Sequence, residues 1–463
     1  MTTIETKAEQ HTGNPFDWRF VTPLLMGSCL NPVNSSLIAT ALVPIATAMH
    51  VSVGKTAVLV SALYLACTIA QPTAGKLSEE FGPRRVFLTG IAIVFIGGLV
   101  GGFGTNMATL TLARVLIGIG TSAGYPSAML LVRRRATEAG MKAPPGNVLG
   151  SLVIAGMVTP ALGLPIGGAL VGLWGWRTTF FVNVPVAIIT YAMAAIWVPR
   201  DPKQQTRLTA RDVATRIDLA GIVAFGVMMA TLLIFLLSLP SLDWISLVIA
   251  VVAGAAFVAW ELRAKTPFVD LRLLAKNGGL SRTYLRWAVM CLCIYTVLYG
   301  LTQWLEAGRG LSALDAGLLL LPMSALGGIV ARPISRRNLL RWPLVVAAIA
   351  SVAGSAVVLL LTTTTPLAWI VVATLLFGVV SGAGASANQT ALYREVPAEQ
   401  MGTASGLFRT FGYIGSIASS ALIAVTFHTS VSDHGLHIIA IIMVVVSVLG
   451  LLLAVGDRRL MKG

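Results

Sequence analysis

The side chains in this sequence that could do chemistry are few and grouped. The stretch Gly75-Lys76-Leu77-Ser78-Glu79-Glu80-Phe81-Gly82-Pro83-Arg84-Arg85 sets two carboxylates beside two guanidinium groups, between glycines that permit a tight bend. Glu79 lies within sequence reach of Arg84 and Arg85, so charge-assisted hydrogen bonds could latch this turn or hold a neighbouring helix end. Arg114 stands alone in an apolar run, and Glu306 and Asp315 flank a short loop between two others. A carboxylate that alternates between two environments can carry a proton, and these two are the nearest candidates; a solvated loop acid is the plainer reading of each.

Amides and phenols form the rest of the inventory. Asn31 and Asn34 lie beside Pro32, Gln71 beside Pro72, Tyr125 between Gly124 and Pro126, and Asn388 next to Gln389. Tyr295, Tyr299 and Gln303 recur every fourth residue and so share one helix face. Such groups can line a ligand cavity, or simply bond between helices for roughly 0.6 kcal/mol each. Arg409, set slightly inside another apolar run, could reach a cavity or snorkel to the membrane interface. No metal-ligand spacing, nucleophile elbow, phosphate loop or dinucleotide fingerprint is present, so no catalytic residue, metal or cofactor is expected.

The elements that must position these groups follow from composition. Of 463 residues, 56% are hydrophobic and 11% charged, against roughly a quarter charged in a soluble domain. Apolar runs of about 20 residues recur throughout, each long enough to cross some 30 Å of hydrocarbon. The expected class is an all-α polytopic membrane protein with about fourteen transmembrane helices. The spans are placed near 20–46, 56–74, 86–105, 107–132, 148–174, 178–198, 218–239, 242–262, 284–305, 314–332, 343–362, 366–389, 402–427 and 435–456.

The net charge of +15 is distributed by loop, which argues against nucleic-acid binding and for membrane orientation. With the N-terminus inside, inner segments collect Lys76, Arg84, Arg85, Arg133, Arg134, Arg135, Lys142, Arg200, Lys203, Arg207, Arg282, Arg286, Arg332, Arg337 and Arg394 among others. Outer loops keep Lys55, Arg177 and Arg309. This positive-inside pattern places both termini in the cytosol and adds attraction to anionic lipid headgroups. Four cysteines (Cys29, Cys67, Cys291 and Cys293) lie in apolar runs and suggest neither disulfides nor a metal.

A weak repeat divides the chain. Gly118, Gly120, Gly124 and an exit at Arg133 are echoed by Gly378, Gly382, Gly384 and an exit at Arg394. Two six-helix bundles, 18–200 and 284–456, are expected to flank a linker, 201–283, that carries an inserted pair (spans 7 and 8), with short cytosolic tails at 1–17 and 457–463. Duplicated bundles of this kind bind substrate between the halves near the bilayer midplane. Arg114, roughly 12 Å down its helix at 1.5 Å per residue, costs about 2.5–3.5 kcal/mol against lipid and should face a protein or water-filled interior. Asn34 is its expected neighbour.

With this context, the 75–85 turn resembles the loop signature of the major facilitator superfamily, Gly-x-Leu-x-Asp-x-x-Gly-x-Arg-Arg. Gly75, Leu77, Gly82, Arg84 and Arg85 match, with Glu79 in the Asp place and Glu80 where a basic residue is usual. Arg114 followed by Gly118 and Gly120 resembles the span 4 motif. Thr159-Pro160-Ala161-Leu162-Gly163-Leu164-Pro165-Ile166-Gly167-Gly168 is similar to the span 5 antiporter motif, with Thr159 for its first Gly and its second Pro displaced to Pro165. The stretches from Trp176 to Pro185 and from Pro267 through Asp270 to Arg272 resemble further marks of the fourteen-span drug:proton antiporter branch.

The resemblance implies a secondary exporter of drugs or amphipathic metabolites, monomeric, in the inner membrane, working by alternating access. Spans 1, 4, 9 and 12 would line the cavity, and Glu79 with Arg85 would latch the inner gate in the outward-facing state. One departure bears on coupling. The branch carries a span 1 Asp ahead of an Ala-Leu-Pro, and here Asn34 precedes Ala41-Leu42-Val43-Pro44. An amide carries no proton, so a facilitator or importer of a polar metabolite is the alternative within transport. A membrane-embedded enzyme would need a nucleophile, metal ligands or paired carboxylates in the spans, and none is seen.

Overall fold

The computed structural model describes residues 15–141, 146–202, 210–238, 241–265, 267–269, 271–337, 339–395 and 401–456. Of the residues singled out above, Lys142, Lys203, Arg207, Asp270 and most of both tails lie outside this set, as does the side chain of Pro160.

Among the described residues every regular element is helical, and 13 helices are long and apolar enough to cross a membrane. In chain order these are span 1 (Trp18–Ala48), span 2 (Val53–Phe81), span 3 (Pro83–Gly102), span 4 (Met107–Glu138), span 6 (Thr178–Trp197), span 7 (Leu219–Leu236), span 8 (Trp244–Glu261), span 9 (Gly278–Gly308), span 10 (Ala313–Ile334), span 11 (Arg341–Leu359), span 12 (Leu367–Leu392), span 13 (Leu407–Thr426) and span 14 (Asp433–Gly456). The helix Gly146–Trp174, 29 residues long, stands where span 5 is expected, and its part Gly163–Trp174 is a shorter apolar helix.

Local chemistry sets the ends. Asp17 caps span 1 by accepting from the Phe20 N–H, and Asn106 with Thr109 forms a reciprocal capping box on span 4. Asp243 and Asn277 cap spans 8 and 9. Each cap satisfies N–H groups that a helix start leaves orphaned. Gly82, at φ +97°, divides span 2 from span 3 in a conformation few other residues adopt.

Burial sorts the spans into central and peripheral. In its most apolar 18-residue stretch, span 9 has 78% of its residues buried and spans 1, 2 and 13 each have 67%, whereas spans 7 and 8 have only 28% and 22%. The inserted pair therefore stands at the edge, with side chains such as Ile234, Ile245 and Val251 exposed as lipid requires. Two carboxylates hold the pair to each other and to the segment after it: Asp218 accepts from Phe268 N–H (2.9 Å) and the Trp260 indole (2.7 Å), and Glu261 accepts from Val269 N–H (3.1 Å).

Spans 2 and 13 pack together across the centre, as do spans 5 and 10. Glycines set these approaches. A Cβ on Gly118 would lie 2.8 Å from Ala66 Cβ on span 2, and one on Gly378 would lie 2.6 Å from the Met323 carbonyl on span 10. Span 4 thus seats span 2 as span 12 seats span 10.

Candidate functional site

A cavity of about 360 Å³ lies between the two sets of spans. Asn31 (span 1), Tyr125 (span 4), Tyr295 (span 9), Gln389 (span 12) and Arg409 (span 13) all line it. Spans 5 and 10 contribute Leu152 and Met323, so the wall is broader than spans 1, 4, 9 and 12. Most of the lining comes from the halves of the helices nearer the 75–85 turn, with spans 1 and 9 contributing past their midpoints, so the cavity faces the basic side of the protein.

The opposite side is sealed by contacts between the halves. A Cβ on Gly168 would lie 2.6 Å from the Ala313 carbonyl, one on Gly317 would lie 2.8 Å from the Leu164 carbonyl, and one on Gly54 would lie 2.7 Å from the Phe427 carbonyl. Gly163 and Gly167 bring span 5 equally close to span 1, against Ser36 and Leu37, and Pro165 sits half-buried between them. The span 5 glycines therefore serve both a packing seam within the first half and a closure between halves.

Aromatic hydroxyls bind the halves beneath that seal. The Tyr299 hydroxyl donates to the Ser35 carbonyl (2.7 Å) and lies 2.8 Å from the Tyr64 hydroxyl. The Tyr413 hydroxyl donates to Gln71 Oε1 at 2.7 Å. The sequence face shared by Tyr295, Tyr299 and Gln303 is thus divided by depth: Tyr295 reaches the cavity, while Tyr299 and Gln303 are buried above it. Gln71 is likewise a bonded strut between halves and not part of the wall.

Arg114 is 1% exposed and faces the protein interior. Its Nε donates to the Leu59 carbonyl (3.0 Å) and its Nη1 to the Asn34 carbonyl (3.1 Å), tying spans 2 and 1 to span 4. The Asn34 contact is thus to backbone. Its side chain pairs instead with Asn183 of span 6, a residue within the Trp176–Pro185 stretch whose role sequence reasoning missed.

Three placements correct the sequence reading. Arg286, expected in an inner loop, is 1% exposed inside span 9, because capping by Asn277 starts that helix earlier than hydropathy suggests. Its Nε donates to Asn388 Oδ1 (3.0 Å), which removes Asn388 from the cavity wall. Glu306 is not a loop acid: it is 8% exposed within span 9, in a π-helical turn, Trp304–Gly308, that follows another at Val297–Leu301. Its Oε1 and both side-chain polar atoms of Gln303 are buried without a hydrogen-bond partner. π-turns cluster at functional positions. Asp315, by contrast, is exposed and accepts from the Ser312 hydroxyl (2.6 Å) at the start of span 10.

The charged turn is held from outside itself. Asp201, following span 6, accepts from the backbone N–H groups of Arg84 (3.3 Å) and Arg85 (2.9 Å), and its carboxylate lies 3.4 Å from the Arg134 guanidinium. Arg84 also donates to the Ala195 carbonyl at 2.7 Å. Glu80 pairs with Arg216 (2.5 Å), and Lys76 donates to the Pro267 carbonyl (3.2 Å), so both reach the inserted region. Glu79 is exposed and makes no ion pair with Arg85 among the described residues. Gly75 meets Pro126 of span 4 at ordinary contact distance. An acid directly after a span, facing an arginine-rich helix start, was the sequence signal for Asp201.

A many-span helical body with a cavity between two packed sets of helices, sealed on one side, defines a membrane carrier. The chain belongs to the Major Facilitator Superfamily, whose family model matches residues 24–420. It is 31% identical to the MFS-type transporter YwoD of Bacillus subtilis (strain 168), over 96% of this chain and 97% of that protein. It is 27% identical to the tetracenomycin C resistance and export protein of Streptomyces glaucescens, over 92% of this chain and 79% of that one. The fold matches a crystal structure of the peptide transporter POT in complex with sulfate at a TM-score of 0.68, with 14% identity and 96% of each chain covered.

Proposed function

We propose that the protein exports amphipathic organic compounds by alternating access, driven by protons, from the inner membrane with its basic side and both termini in the cytosol. The observation that carries this is the cavity between the halves, facing the basic side while Gly168, Gly317 and Gly54 hold the other side shut. Aromatic rings and a few polar groups in one wall suit an amphipathic ligand. Two relatives support the direction of transport: one is named for resistance and export, and another is a multidrug resistance protein of Mycobacterium tuberculosis, 27% identical. The chain works as a monomer among membrane lipids, without a cofactor or nucleic acid.

Coupling falls to Glu306, a buried carboxylate with an unpartnered oxygen on a span that meets both halves. In the outward-facing state Glu79 pairs with Arg85 and the basic side closes. A ligand moves that balance only through unequal affinity for the two states. A facilitator without proton antiport is the second reading, favoured by the amide at Asn34. Proteoliposomes given an imposed proton gradient and a panel of anionic, neutral and cationic amphiphiles decide between them. Gradient-dependent movement supports the exporter, gradient-independent movement the facilitator, and no movement of any compound removes both.

A further inference from the structure

We infer that the cavity selects amphipathic anions, such as a carboxylate or sulfonate head on an aromatic body, with Arg409 as the residue that sets the preference. This rests on the transport reading above and narrows its substrate class. Among the described residues that line the cavity, Arg409 alone carries a charged side chain, and the lining holds no carboxylate. A cationic substrate would therefore meet a cation of its own sign.

The guanidinium is presented and not consumed. Its centre lies 4.1 Å from the centroid of the Tyr125 ring, so a side chain of span 13 is stacked on one from span 4, in the other half. Stacking uses the π-face of the guanidinium and leaves in-plane N–H donors for a planar anion. The ion pairs of Arg134 with Glu138 and Asp201 and of Arg216 with Glu80 lie at the basic-side loops, away from Arg409. The two fully buried guanidiniums elsewhere, Arg114 bonded to carbonyls and Arg286 to Asn388, do not line the cavity.

The remaining wall fits the other end of such a ligand. Trp287 and Phe408 stack with rings 5.0 Å apart at 13°, and Tyr295 lies along the same cavity. Ser28, also lining it, has a buried hydroxyl with no hydrogen-bond partner, which a ligand oxygen would satisfy. Between low-dielectric walls, an unpaired cation attracts an anion and repels a cation more strongly than at the surface.

Fluorescein and rhodamine 123 share a xanthene body and differ in charge. Dye anisotropy would be read on the full chain in nanodiscs, with empty nanodiscs subtracted. Fluorescein is expected to bind at least about tenfold more tightly, the scale of one charge-assisted hydrogen bond. Arg409→Gln should abolish that preference and Arg409→Lys should keep part of it. Added KCl should weaken fluorescein binding and should not weaken that of rhodamine 123, whose repulsion it screens, a readout that needs no variant to fold. Equal or tighter rhodamine binding, a fluorescein preference that survives Arg409→Gln, or absence of binding by either dye overturns the inference. The gradient assay with the wider panel stands apart from these outcomes, so an exporter of neutral or cationic compounds would still be recognised.

Discussion

Asn34 and Asn183 close on each other as a reciprocal amide pair. Asn34 Nδ2 donates to Asn183 Oδ1 at 2.6 Å, and Asn183 Nδ2 donates back to Asn34 Oδ1 at 2.9 Å. Asn34 also donates to the Leu30 carbonyl at 2.9 Å. Both residues are 2% exposed and neither lines the cavity. An amide can give and take at once, and a carboxylate at Asn34 could only accept. The position thus serves as a lock between spans 1 and 6.

Asn34→Asp is expected to lower stability by about 1–3 kcal/mol, the cost of leaving Asn183 Oδ1 and the Leu30 carbonyl without their donor. It should not add pH dependence to transport, because the side chain has no path to the cavity. Thermal unfolding in detergent and flux at several pH values test both halves of this statement. A fully stable variant with a new pH profile would contradict it.

Arg114→Lys should weaken the first half although the charge is kept. One ammonium cannot hold the Leu59 and Asn34 carbonyls in the geometry of a guanidinium fork. Loss of one charge-assisted bond corresponds to about 1.5–3 kcal/mol. Efflux is expected to fall with it, and Arg114→Ala to abolish efflux while the protein still reaches the membrane. Membrane fractionation and flux in the same cells separate misassembly from lost function.

Glu306→Gln tests the coupling role. The amide keeps the shape of the side chain and cannot take a proton. Gradient-driven transport should drop to the level of vesicles without a gradient, while exchange of labelled for unlabelled substrate at equal pH persists. Retained gradient-driven transport would assign coupling elsewhere.

Gly168→Val should open the sealed side. The new Cβ would sit 2.6 Å from the Ala313 carbonyl, and a backbone oxygen cannot rotate away as a side chain could. Overpacking of this kind costs about 1–3 kcal/mol, enough to shift a two-state balance by roughly one to two decades. Spin labels at Lys55, in the first turn of span 2, and at His428, just after span 13, both on that side, should report a longer distance than in the wild type. An unchanged distance would mean that spans 5 and 10 absorb the methyl groups without parting.

Much of the fold is legible in the chain because the membrane makes hydropathy a local quantity. Each crossing helix must hide its backbone polar groups and face lipid or protein with apolar side chains, so a run of about 20 such residues declares itself without knowledge of its neighbours. The interior setting of Arg114 follows from the same cost. Ends were less legible. Arg286 reads as loop by charge, and only the Asn277 cap and the bond to Asn388 bring it into the helix. Glu306 reads as loop for the same reason, and the π-turns that carry it inside have no hydropathy signature.

The sequence by itself determined the membrane class, the glycines at the close crossings and the charged turn after span 2. The tertiary structure alone decided which polar groups meet. A helix turns about 100° per residue, so neighbours in sequence diverge in space: Gln389 lines the cavity while Asn388 is bound to Arg286 behind it. Asp201 lies far along the chain from Arg84 and Arg85 and yet holds their turn in place of Glu79. Composition fixes that a side chain is buried; the rotation and pairing of helices fix against what.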